Sequence, residues 1–124
     1  MIHLDTNYLI GMVSLDSPLG EEVHQWLNSG EQLGTSAVAW SEFLTGPFTP
    51  EQLRLAQVIV GNEIVPFGIT EAGCAAKLFN NAGRKREKRI DCFIAATAIS
   101  AGAKLATRNR KDFAQFVTVG LLLA

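Results

Sequence analysis

The order of residues predicts an α/β fold, a three-layer α/β/α sandwich around a central parallel sheet of four to five strands. Two observations carry this. Short apolar runs alternate with longer stretches of helical character along the whole of the 124 residues. The apolar runs are also too short and too uniformly apolar to be half-exposed hairpins, so each reads as a strand covered on both faces. The length suits one domain over 1–124, and no repeat or low-complexity linker divides it.

Ile2-His3-Leu4 is the first strand, and 6–13 a short helix after it. The stretch "SLDSPLG" reads as a loop, because Pro18 and Gly20 punctuate it, and a helix follows over about 21–28. "QLGTS" is the second strand. It feeds a helix over about 37–45 that Gly46 and Pro47 end. Thr49 then caps a helix with Pro50 in its first turn. "EIVPF" is a third strand, Thr70-Glu71 opens a helix to about Asn80, and Ile90 to Ala101 forms another, closed by Gly102. "AKLAT" is the fourth strand, 109–116 a short helix, and "VTVG" (117–120) the fifth strand.

The net charge of -1 conceals two opposed halves. Residues 1–76 carry nine acids and the single base Arg54, whereas 77–124 carry ten bases and three acids. Opposed fields of this kind suit a polyanion on one face, or they pair the two halves with each other. No apolar run reaches the roughly 18 residues of a membrane span, and the start lacks a basic-then-apolar leader. With only Cys74 and Cys92, reduced thiols in a cytoplasmic protein are expected.

In open α/β sheets, sites form beyond the carboxyl ends of the strands. Four polar anchors fall there. Asp5 follows the first strand, Glu42 lies in the helix after the second, Asp91 opens the small-residue helix "RIDCFIAATAISAG", and Asn109 and Asp112 follow the fourth strand. Each has a dull explanation taken singly. Asp5 can cap a helix, Glu42 can face solvent, Asp91 can answer a helix dipole, and Asn109 with Asp112 can form a capping box. Their shared rim has no such explanation. Carboxylates gathered there repel, and a hard divalent cation relieves them: Mg²⁺ takes a few carboxylates and keeps waters and substrate phosphates. A pair of such ions can activate water and stabilise both oxygens of a phosphoryl displacement. Zinc is disfavoured, because His3, His24 and the cysteines lack ligand spacing. No phosphate-binding glycine loop, dinucleotide turn or serine-hydrolase elbow is present.

"LDTNYLIG", "SEF", "RIDCFIAATAISAGAKLATRN" and "KDF", in this order over nearly the whole chain, resemble the PIN domain, particularly the VapC-type toxins. The resemblance implies an Mg²⁺- or Mn²⁺-dependent endoribonuclease with Asp5, Glu42 and Asp91 as metal-binding acids. Asn109 stands where many relatives have an acid, so the fourth is either Asn109 or Asp112, the remaining acid of that stretch. Asn7 and Thr107 match residues that support the acids. The resemblance also implies an antitoxin partner and a homodimer.

"GRKREKR" (83–89) contributes Arg84, Lys85, Arg86, Lys88 and Arg89 immediately before Asp91, and Arg108, Arg110 and Lys111 flank the fourth anchor. These are candidate RNA phosphate contacts, or equally a solvated segment. Two other classes compete: a non-catalytic binding module with a degraded site, and an aspartyl phosphotransferase. The second wants an acid where Asn7 stands.

Overall fold

The computed structural model describes residues 1–124. Five strands, β1 (Ile2–Leu4), β2 (Leu33–Ser36), β3 (Ile64–Val65), β4 (Lys104–Ala106) and β5 (Leu122–Leu123), form one parallel sheet in the order β3-β2-β1-β4-β5. Seven helices flank it: α1 (Thr6–Met12), α2 (Pro18–Asn28), α3 (Ala37–Leu44), α4 (Pro50–Val60), α5 (Ile69–Asn81), α6 (Arg89–Ser100) and α7 (Arg110–Val117). A 3-10 turn over Arg86–Lys88 leads into α6.

The chain runs outward from β1 through β2 to β3, then returns to lay β4 on the other side of β1. The order therefore reverses between β1 and β4, where a parallel sheet opens a crevice at its carboxyl edge. Ile2 pairs with Lys104 and Leu4 with Ala106, so β1 and β4 end level. The Asp5 N–H donates to the Ala106 carbonyl at 3.0 Å, which carries the register one step past the strands. Asp5 and Thr107 thus emerge side by side.

The central strands β1 and β2 are buried because both faces are covered. Leu4, Leu9, Phe43, Leu105, Phe113 and Phe116 form the centre of the core. In α6, Ala95, Ala96, Thr97 and Ala98 are all fully buried, and their small side chains let the helix lie close to the sheet and to α5. His3 is buried in β1, and neither of its ring nitrogens has a hydrogen-bond partner. Burial, and secondarily the N-terminal charge, depress its pKa to about 4, so the ring is neutral.

Four expectations are corrected. The fifth strand is Leu122–Leu123, not 117–120. The β-branched residues of "VTVG" instead finish α7 in turns, with the Val119 N–H on the Phe116 carbonyl and the Gly120 N–H on that of Val117. Helix α2 begins at Pro18, not near 21, because Pro18 occupies its first turn instead of breaking it. Asn109 stands at the N-terminus of α7 but makes no side-chain cap, so there is no capping box. The "EIVPF" strand is shorter than expected, reduced to Ile64–Val65, since Pro66 lacks the N–H that a ladder needs. The box expected at Thr49 is complete, with Thr49 and Gln52 bonded reciprocally at 3.1 and 2.9 Å.

Candidate active site

Asp5 is the buried anchor of the carboxyl edge, only 5% exposed. Its Oδ1 accepts the Thr6 N–H at 2.8 Å and its Oδ2 accepts the Thr107 hydroxyl at 2.7 Å. Thr107 in turn accepts the Asn109 N–H at 3.1 Å, which ties the turn after β4 to the same carboxylate. Burial pushes the Asp5 pKa up, and the two hydrogen bonds only partly offset it. Asp5 does start α1, though its carboxylate bonds the first N–H of the helix and not the deeper ones a full cap would reach.

Glu42 projects from α3 toward this point, and the Thr6 hydroxyl donates to its Oε1 at 3.0 Å. Thr6 therefore touches two carboxylates, one through its backbone and one through its side chain. Sequence patterning offered no reason to single it out. Asp91 lies in the first turn of α6 and is half-buried. Its pKa is pushed up to about 6, first by burial, then by the Asp5 charge, with Lys88 opposing and Asp112 and Glu42 adding to the rise.

Asp5, Thr6, Asn7, Glu42, Glu87, Ile90, Asp91, Ile94 and Asn109 line one cleft of about 340 Å³. Three of the four expected acids meet there. Asp112 does not line it: its Oδ1 sits 2.8 Å from the Lys88 Nζ. Asn109 lines the cleft in its place. Glu87 was missed because it is embedded in a run of bases. Its position four residues before Asp91, one helical turn away, was the available signal.

Apart from Lys88, which pairs with Asp112, and the exposed Lys111, the expected basic residues divide into three groups. Lys85 and Arg86 are exposed on the segment leading to the cleft. Arg84 and Arg89 place their guanidinium groups over the Phe79 ring, 5.7 and 4.6 Å from its centroid. Arg108 and Arg110 lie on the α1 side, close enough to Tyr8 for their charges to act on its hydroxyl, and Arg110 donates to the Ala124 carbonyl at 2.8 Å. That hydroxyl donates to Glu22 at 3.0 Å, and its pKa is pushed up to about 12, chiefly by burial.

The donors facing the cleft are oxygen atoms, with no thiol or imidazole among the lining residues, and this chemistry fits a hard divalent cation. No three acids converge closely enough to cage an ion by themselves. Mg²⁺ does not need such a cage, because it keeps several waters and uses one or two carboxylates.

A parallel sheet bearing a carboxylate cleft at its switch point defines the class. The chain belongs to the PIN domain family, whose model matches residues 2–117. It is similar in structure to VapBC2 from Rickettsia felis bound to a promoter DNA fragment, with a TM-score of 0.77 and 20% identity over 100% of this chain and 98% of that one. FitAcB from Neisseria gonorrhoeae matches with a TM-score of 0.74 and 24% identity, over 100% and 97% of the two chains. A toxin–antitoxin complex from Klebsiella pneumoniae matches at 0.73 and 26% identity, over 92% and 91%. A search of curated protein sequences returns no match. No helix is long and apolar enough to cross a membrane.

Proposed function

We propose that this chain is a divalent-metal-dependent endoribonuclease and the toxin of a toxin–antitoxin pair. The observation that carries the reading is the meeting of Asp5, Glu42 and Asp91, from three distant parts of the sequence, in one cleft. Burial first, and the neighbouring acids after it, push the Asp91 pKa up to about 6, so keeping this carboxylate ionised in the cleft costs folding energy. Function is the usual reason such a cost is kept.

Asp5, Glu42 and Asp91 would hold Mg²⁺ or Mn²⁺, with the Asn109 side chain as a neutral oxygen donor beside them. A bound ion of this class supplies an activated water and stabilises charge on the phosphodiester oxygens. Thr107 and the Thr6 N–H fix the Asp5 carboxylate, so its lone pairs are aimed before any ligand arrives. The Thr6 hydroxyl orients Glu42. Lys85 and Arg86 draw the RNA backbone toward the cleft through phosphate contacts, which carry no sequence information. Domain extent over 1–124 and homodimerisation are part of the same reading.

An antitoxin partner is supported by the similar structures, which are toxin–antitoxin assemblies. Asn109, lining the cleft where an acid was sought, is what favours the second reading, a PIN module that binds without cleaving. Expression in a bacterial host separates the two. The wild type arrests growth and Asp5→Asn does not, with equal amounts of folded protein; growth unaffected by the wild type contradicts the toxin role.

A further inference from the structure

The chain has two ion pairs, and only Lys88–Asp112 joins distant segments, linking the start of α6 to the start of α7 at 2.8 Å. The other, Arg54–Glu51, spans a single helical turn and is exposed at both ends. The 2.8 Å contact with Asp112 holds the Lys88 ammonium in place. Its place in the helix is also unfavourable by itself. Lys88 is the residue before the first turn of α6, where the positive end of the helix dipole repels a cation. An acid must compensate, and Asp112 holds the ammonium directly at 2.8 Å.

The Lys88 ammonium lies directly against the Asp112 carboxylate, as a cation would. Asp112, the one expected ligand that lies outside the cleft, is the one it binds. The residue facing the cleft from that segment is the neutral Asn109. The cleft thus retains the charge to hold one divalent ion and has given up an acid that a second would use. We propose that the Lys88 ammonium is a resident cation neutralising Asp112, so that the cleft takes one divalent ion, on Asp5, Glu42 and Asp91, and not two. This rests on the metal-nuclease reading above and specifies its stoichiometry.

Calorimetric titration of Mn²⁺ into the purified protein tests it, with electron paramagnetic resonance to detect coupled ion pairs. The wild type binds one ion with no Mn–Mn coupling. Lys88→Met frees Asp112 and binds two, and the second is lost again in Lys88→Met/Asp112→Asn. Asp112→Asn alone still binds one ion, more weakly because the Lys88 charge is then unpaired beside Asp91, which keeps the proposal exposed to test if Lys88→Met fails to fold. Two ions in the wild type, one in a folded Lys88→Met, or tighter binding in Asp112→Asn overturns the proposal and leaves the metal-nuclease reading standing. No Mn²⁺ binding by the wild type contradicts both.

Discussion

Replacing Asp91 by Asn should stabilise the metal-free protein while removing its activity. In the fold the Asp91 pKa is raised from 3.8 to about 6. A carboxyl raised in this way contributes stability that is full below its unfolded pKa and lost as pH rises through the folded one. At neutral pH the charged carboxylate is therefore a net cost. Taken whole, a shift of that size corresponds to about 3 kcal/mol. Because Asp91 is only half-buried, solvent screening reduces this to about 1 kcal/mol. Asparagine has the same shape and no charge, so Asp91→Asn should gain that amount, or about 4 °C in melting temperature for a chain of this size. Thermal melts followed by circular dichroism, with a chelator present, measure it. The gain should appear at neutral pH and shrink at about pH 5, where the wild-type carboxyl already carries its proton. Excess Mn²⁺ should reverse the order, because only the wild type gains binding energy from the ion. A melting temperature lowered at neutral pH in chelator would refute the reasoning.

His3 should produce the opposite slope. Its pKa is depressed to about 4, so the unfolded chain binds the proton better and stability falls as pH drops from about 6.5. His3→Leu should remove that acid sensitivity and its two unpartnered nitrogens, seen as a flatter denaturation midpoint against pH. Thr107→Val leaves the buried Asp5 Oδ2 without its donor and should cost about 1–3 kcal/mol by urea unfolding, whereas Thr107→Ser should restore most of it. Combined Lys85→Ala and Arg86→Ala should weaken RNA binding uniformly across sequences. The slope of its salt dependence should flatten by about 0.7 for each phosphate no longer neutralised, measured by fluorescence anisotropy.

Much of the sheet was legible because Gly and Pro punctuate the chain at the right intervals and the apolar runs are short. β1, β2 and β4 fall within the expected segments, and Ala95 to Ala98 revealed α6 as a buried helix. The failures have separate causes: Pro18 opens α2 instead of breaking it, and elsewhere local turns and strand pairing override strand propensity. "VTVG" has the residues of a strand, yet its amides are taken by the end of α7, and the short β5 is decided by pairing with β4. The candidate site divides in the same way. Asp5, Glu42 and Asp91 could be placed at one rim because each follows a strand or opens a helix. The Lys88–Asp112 pair spans 24 residues, and the Thr6–Glu42 bond 36, and no periodicity reports such contacts. Glu87 was hidden by its basic neighbours.

If Asp5, at the end of β1, belongs to a metal-dependent RNA-cleaving site, neutralising it abolishes cleavage. Cleavage of a labelled mixed-sequence RNA by the purified wild type and by Asp5→Asn, each with Mn²⁺, Mg²⁺ or chelator, tests it most directly. The wild type should cut internal phosphodiester bonds only with a divalent ion, and Asp5→Asn, equally folded, should not cut at all. Cleavage undiminished in Asp5→Asn, or undiminished by chelator in the wild type, would contradict the account.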